Sequence, residues 1–236
     1  MANGTFYGVS VGPGDPELLT LKALRILKQC PVLAVPQTRN GGTAALAIVS
    51  QALDLSGKTI LYLPFPMTRD EKETRENHEA LTHKIAEVLQ TGQNVAMITL
   101  GDVSIYSTVS YLAKRVKGAG FSVELVPGVP AFCAAASKLQ RSLTKKTEPL
   151  HILPAGYEGA LESLSLPGTK VLMKPGKDLR PLLRKLKEED LLDKASMAVN
   201  CGMEGERILP DLTEFDETET GYFTTILLDA DDTEKP

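Results

Sequence analysis

Short runs of consecutive apolar residues alternate with longer stretches in which apolar positions return every three or four residues, and this alternation organises the first half of the chain. Thr5–Val11 reads as a first strand, ending in Gly12-Pro13-Gly14-Asp15-Pro16. A helix follows, with Asp15 or Thr20 able to cap it and Leu18, Leu21, Leu24 and Leu27 as its apolar face. Cys30–Val35 is a second strand closed by Pro36, Thr43–Leu53 a helix, and Thr59–Leu63 a third strand closed by Pro-Phe-Pro. Asp70–Leu89 is strongly charged at first and then carries the stripe Leu81, Ile85, Val88 and Leu89, the pattern of a solvated helix with one buried face. Asn94–Val103 is the most continuous apolar run. It stops at Gly101-Asp102, a helical pattern follows from Ser104, and Ser107–Lys117 continues as a helix until Gly118 and Gly120. Ser122–Val126 is a fifth strand, halted by Pro127-Gly128. Strands alternating with helices at this spacing describe a mostly parallel sheet with helices on both faces, an α/β domain over residues 1–127.

Beyond a helix at Pro130–Leu139 the rhythm changes. Leu150–Leu153, Lys170–Met173, Ser196–Val199, Arg207–Leu209 and Phe223–Leu228 read as strands, with helices near Glu158–Leu164 and Asp178–Leu186. The last strands have no helix between them, so residues 128–236 are expected to form a second α/β domain around a mixed sheet.

Composition narrows the class. A chain of 236 residues with 42% hydrophobic and 24% charged residues matches a globular protein that buries a sizeable core. A formal charge of -4 gives no basic footprint, so no nucleic-acid partner is expected. No basic n-region precedes an apolar stretch at the N-terminus, and no apolar run reaches the roughly 18 residues of a membrane span. Cys30, Cys133 and Cys201 form no close pair, which argues against a disulfide framework or zinc knuckle; the expected location is the cytoplasm. His78 and His83 lie five apart and His151 is remote, so no metal site is expected. Met67, Met97 and Met173 read as core fillers.

Five apolar runs end in loops of one composition: Gly-Pro-Gly-Asp at 12–15, Leu-Gly-Asp at 100–102, Val-Pro-Gly at 126–128, Met-Lys-Pro-Gly at 173–176 and Asn-Cys-Gly at 200–202. In open α/β sheets ligands bind in the loops outside the carboxyl ends of strands. No Walker-type loop and no G-x-G-x-x-G is present, and Asp15 and Asp102 stand where a phosphate would be repelled. Carboxylates there suit a ligand with an amino group, hydroxyls or a cationic centre. S-adenosylmethionine has all three.

In order, V-G-P-G-D-P-E-L-L-T-L-K-A-L at 11–24, T-L-G-D-V-S-I-Y-S-T at 99–108 and V-E-L-V-P-G-V-P-A-F at 123–132, with V-L-M-K at 171–174, resemble the tetrapyrrole (precorrin and cobalt-precorrin) methyltransferase family over essentially the whole length. Leu100 in place of a first Gly, Val103 in place of Pro, and the charged segment after P-F-P-M are similar to the branch that methylates C-20. The resemblance implies a two-domain tetrapyrrole methylase fold with the active site in the cleft between the domains. It implies S-adenosylmethionine as methyl donor, precorrin-2 or cobalt-factor II as substrate on the route to vitamin B12, and a homodimer. Carried over by motif, Pro13, Leu100, Gly101, Asp102, Ile105, Pro130, Ala131, Met173, Cys201 and Gly202 are the expected cofactor-binding residues. Relatives have Thr or Ser where this chain has Pro130, so a hydroxyl is missing there. Asp102, Tyr106 and Asp15 are candidates for a base by location, and Arg39, Lys145, Lys174 and Lys177 for cations that meet the substrate's carboxylates. Two rival readings are another methyltransferase of the superfamily (siroheme-type, diphthine-synthesis or RNA-modifying) and a non-catalytic tetrapyrrole-binding protein.

Overall fold

The apolar runs of the first half pair side by side, all in one direction, in a computed structural model that describes residues 2–37, 43–66, 68, 70–156, 159–175, 179–215 and 223–229. Two compact units emerge, Met1–Pro130 and Ala131–Pro236. In the first, strands β1 (Thr5–Ser10), β2 (Val32–Gln37), β3 (Thr59–Pro64), β4 (Val95–Thr99) and β5 (Ser122–Val126) form a parallel sheet in the order β3-β2-β4-β1-β5. The central strands are buried on both faces, as their unbroken apolar runs require, whereas the edge strands β3 and β5 are partly exposed.

Helices α1 (Leu21–Gln29), α2 (Ala44–Ala52), α3 (Glu71–Gln90) and α4 (Val109–Gly118) connect the strands. Val95 and Met97 share a core with Leu81, Ile85 and Leu89 of α3 and Leu112 and Val116 of α4. Ala96 and Ile98 point the other way and are equally buried. On that face α2 lies against β4, and α1 lies against the neighbouring β1. Gly8 makes the α4 side possible: a Cβ there would sit 2.5 Å from Val109 Cγ1 and 2.8 Å from a Leu125 methyl.

Several elements depart from their expected form. Leu21 is 87% exposed, and α1 buries Ala23, Ile26 and Leu27 instead of the Leu18, Leu21, Leu24 and Leu27 series. A strict three-residue repeat turns 60° backwards per step on a helix of 3.6 residues per turn, so that series cannot hold one face. Asp15 and Thr20 both cap: Asp15 receives the Glu17 amide at 2.8 Å over a short 3-10 turn at Pro16–Leu18, and Thr20 receives the Ala23 amide at 3.1 Å on α1. Strand β2 runs through Pro36 rather than stopping before it. Its pairing with β4 ends at Ala34, so the missing N–H breaks no ladder. The long apolar run ends as a strand at Thr99, and α4 starts at Val109.

In the second unit, α5 (Ala131–Lys138) leads to β6 (Leu150–Pro154), β7 (Thr169–Met173), α6 (Arg180–Glu188), β8 (Ala195–Val199), β9 (Arg207–Leu209) and β10 (Thr224–Leu228). The order is β6-β7-β10-β8-β9; β6 and β7 are parallel, and β10 runs antiparallel between β7 and β8. Of the helix expected near Glu158–Leu164, Glu158 lies outside the described residues, and the described part holds a 3-10 turn at Glu162–Ser165. Ser163 Oγ donates to the Gly159 carbonyl and Ser165 Oγ to that of Glu162, and Pro167 forces Leu166 into an extended conformation. Leu172, Leu182, Leu186, Met197 and Ile226 centre this core.

Candidate cofactor site at the strand ends

From β1 the chain crosses towards β2, whereas from β4 it crosses the other way, past β1, to β5. β1 and β4 are neighbours, so the carboxyl ends of these two strands form the topological switch point of the sheet, the place where such sheets open a crevice. The two loops that leave it are joined backbone to backbone. Val11 donates to the Thr99 carbonyl at 2.9 Å, Gly101 donates to the Gly12 carbonyl at 2.8 Å, and Gly12 and Gly101 form an isolated bridge. Both glycines have left-handed backbones, φ 73 and 64, which residues with a Cβ seldom adopt.

The third loop, after β5, is drawn in by Asp102. One carboxylate oxygen receives the Gly128 amide at 2.7 Å. The other receives the Ser104 amide at 2.8 Å and the Ser104 hydroxyl. Burial works against the charge on Asp102, but the Ser104 and Gly128 hydrogen bonds outweigh it and hold the carboxyl below its ordinary range. Ser10, fully buried at the end of β1, accepts the Val103 amide at 2.8 Å. Gly128 lies so close that a Cβ would fall 2.4 Å from Ser10 Cβ and 2.8 Å from the Gly101 carbonyl. On the far side of the loop Thr99 and Ser107 share a hydroxyl hydrogen bond of 3.0 Å, and Ser107 Oγ receives the Val109 amide. The result is a small-residue turn lying against one buried anionic carboxylate. Its chemistry accepts hydroxyl and amino donors and a cationic centre, and opposes phosphate.

Of the residues expected in the first unit, Pro13, Leu100, Gly101, Asp102 and Ile105 are brought together on the two bridged loops, and Pro130 follows two residues after Gly128. Asp15 is engaged as a cap on the first of these loops. Tyr106 is on the second, with a left-handed backbone of φ 47. Ser10, Thr99, Ser104, Ser107 and Gly128 also build the site. The V-P-G motif pointed to Gly128, but nothing local marks Ser10, whose partner is 93 positions away.

In the second unit Met173 ends β7, and Cys201-Gly202 follows β8. The two strands run parallel to each other on either side of β10, so both loops leave one edge of that sheet. Met173 and Cys201 are buried. The Gly202 amide donates to Glu206 at 2.6 Å, which with the Lys138 ion pair at 3.0 Å keeps the Glu206 carboxyl low against partial burial. Lys174, next to Met173, is half-buried, and burial pushes its ammonium pKa down. Ala131 opens α5, and Lys145 is exposed. Arg39, Lys177 and Met67 lie outside the described residues.

Cys30 is buried, and that burial, opposed by Lys58, pushes its thiol up to about 11, unsuited to nucleophilic work. His78 stacks on Tyr111 at 5.3 Å and meets Phe65 edge-on at 5.9 Å. Among the described residues no group of three or more His, Cys, Asp or Glu could hold a metal ion, and no helix is long and apolar enough to cross a membrane.

Comparison with known proteins agrees with this geometry. The family model for tetrapyrrole (corrin/porphyrin) methylases matches residues 5–216. The chain is 37% identical over 185 residues to a probable cobalt-precorrin-2 C(20)-methyltransferase of Methanocaldococcus jannaschii, covering 78% of this chain and 77% of the relative. It is 31% identical over 230 residues to the cobalt-precorrin-2 C(20)-methyltransferase of Salmonella typhimurium, covering 96% of each. Among solved structures, the uroporphyrin-III C-methyltransferase of Thermus thermophilus complexed with S-adenosylhomocysteine has the same fold, with a TM-score of 0.68 at 23% identity, covering 96% of this chain and 97% of that one.

Proposed function

The chain belongs to the tetrapyrrole (corrin/porphyrin) methylase family, and on that premise we propose that it is an S-adenosylmethionine-dependent methyltransferase acting on C-20 of precorrin-2 or its cobalt-bearing counterpart, cobalt-factor II. The observation that carries the reading is the pair of bridged glycine loops at the switch point, lying against the anionic Asp102. The names of the two relatives, similar over most of their length, support the C-20 position and favour the cobalt-bearing macrocycle.

When bound, S-adenosylmethionine supplies a methyl group on a cationic sulfonium. The residues of this chain hold and orient it. The turn at Gly12, Pro13, Leu100 and Gly101 offers backbone groups unobstructed by long side chains, and Ile105 adds an apolar contact. Ala131, Met173, Cys201 and Gly202 are assigned to the cofactor by the same reading, and Pro130 through its backbone, since it has no hydroxyl. A reduced tetrapyrrole is electron-rich at its meso carbons, so an in-line displacement needs no protein nucleophile. Positioning of the two reactants supplies much of the acceleration, on the order of 7–11 kcal/mol for well-oriented reactions. Asp102, held ionised with both oxygens engaged, serves as the clasp of the site rather than as its base. Lys174 and Lys145, with Arg39 and Lys177, are the cations assigned to the macrocycle's carboxylates. The same reading makes the protein a cytoplasmic homodimer.

The test is anaerobic incubation of the purified protein with S-adenosylmethionine and, separately, precorrin-2 and cobalt-factor II, with added methyl groups counted by mass spectrometry. A single added methyl on one of the two supports the reading. Cofactor binding with no methyl on either macrocycle overturns the substrate assignment.

A further inference from the structure

The chain leaves β8 at Val199 and returns as β9 at Arg207. Asn200, Gly202 and Gly205 in this connection all have left-handed backbones, φ 50, 74 and 74. Glycine adopts left- and right-handed conformations about equally, so the residues of the connection do not by themselves hold one shape. Two turns are closed by the backbone, from the Met203 amide to the Asn200 carbonyl at 2.8 Å and from the Glu206 amide to the Met203 carbonyl at 3.2 Å. They bring the Glu206 side chain back onto the start of the connection. There one carboxylate oxygen receives the Gly202 amide at 2.6 Å, and the other receives the ammonium of Lys138, in the last turn of α5, at 3.0 Å. Helix α5 packs on β8 and β10, so one carboxylate fastens the Cys201-Gly202 turn to a helix lying on the same sheet.

Resting on the reading above that assigns Cys201 and Gly202 to S-adenosylmethionine, we propose that Glu206 is a positioning residue of the cofactor site. It holds the Cys201-Gly202 turn in its binding shape through the Gly202 amide and does not itself touch the ligand. A turn ordered beforehand loses no affinity to ordering when the ligand arrives. A backbone amide bonded to a carboxylate is among the stronger hydrogen bonds, and with the Glu206 side chain only 27% exposed, water competes weakly for that amide. The Lys138 ammonium is 48% exposed, so its ion pair adds little by itself. In the first unit Asp102 receives the Gly128 amide in the same way, so each unit fastens a glycine turn with one ionised carboxylate.

Three variants test this. Glu206→Gln keeps the length and an acceptor for the Gly202 amide but removes the charge; Glu206→Asp keeps the charge and shortens the reach; Glu206→Ala removes both. S-adenosylmethionine affinity is measured by calorimetry below the Tm of each variant. Cobalt-factor II binding without cofactor is followed by visible absorption, and KM and kcat by methyl transfer. The expected result is about tenfold weaker cofactor binding for Glu206→Asp and Glu206→Ala, with Glu206→Gln within about threefold of the wild type. Macrocycle affinity stays unchanged in all three, and in Glu206→Asp the KM for the cofactor rises at unchanged kcat. Should Glu206→Ala not fold, the comparison of Glu206→Gln with Glu206→Asp decides alone. Affinity weakened in Glu206→Gln but kept in Glu206→Asp overturns the proposal, since the charge would then act on the sulfonium through space. A lower Tm with wild-type cofactor affinity in Glu206→Asp overturns it too, leaving a structural role only, and so does an equal loss of cofactor and macrocycle affinity. If the wild type binds S-adenosylmethionine but methylates neither macrocycle, the substrate assigned above fails while the role of Glu206 is still measured by cofactor affinity. If the wild type binds no S-adenosylmethionine, both fall.

Discussion

Asp102 receives hydrogen bonds at both carboxylate oxygens, and through them one side chain ties the loop after β4 to the loop after β5. Asp102→Asn keeps the shape but turns an NH2 group towards one of these donors, and the expected cost is about 1.5–3 kcal/mol of stability at pH 7. The carboxyl is held below its unfolded value of about 3.9, so its contribution is fully present above that pH and is lost as pH falls through the lower, folded value. Denaturant titrations of wild type and Asp102→Asn should therefore differ at neutral pH and converge below about pH 4. A difference independent of pH would deny the ionised clasp. Gly128 is the steric counterpart. Gly128→Ala drives a methyl group into Ser10 and the Gly101 carbonyl, and urea unfolding should show a loss of about 1–3 kcal/mol together with weaker S-adenosylmethionine binding.

Helix α1 tests how the elements were formed. Leu27 is fully buried and Leu21 is 87% exposed, although a three-residue series places them on the same expected face. Leu27→Ala should cost about 2–5 kcal/mol, whereas Leu21→Gln should stay within about 0.5 kcal/mol, both read by chemical denaturation. Most strands and helices were legible because strand β4 and helix α3 carry long runs of a single period. The misread places are those where a local hydroxyl or a backbone constraint competes with the pattern. Ser163 and Ser165 reduce an expected helix to a turn, Ser107 and Tyr106 delay α4, and Pro36 is tolerated because β2 has lost one neighbour there. In the candidate site, Gly12, Gly101 and Asp102 could be read directly from turn chemistry. Ser10 could not, because its role exists only once β1 and β4 lie side by side.

At the scale of the whole molecule, the strand order β3-β2-β4-β1-β5 explains why the G-P-G-D and L-G-D motifs matter together. They are 87 positions apart from Gly14 to Gly101, yet they leave adjacent strands whose connections diverge, and such a sheet opens a crevice there. The homodimer proposed for this chain predicts a particle of twice the 25.5 kDa chain mass in multi-angle light scattering; a particle of single-chain mass would remove it. The central claim concerns the position of the new carbon–carbon bond. The most direct measurement is NMR of the product formed anaerobically from S-adenosylmethionine labelled with 13C in its methyl group and cobalt-factor II. The account predicts one enriched methyl resonance, attached to the meso carbon C-20. An enriched methyl on any other carbon of the macrocycle would contradict it.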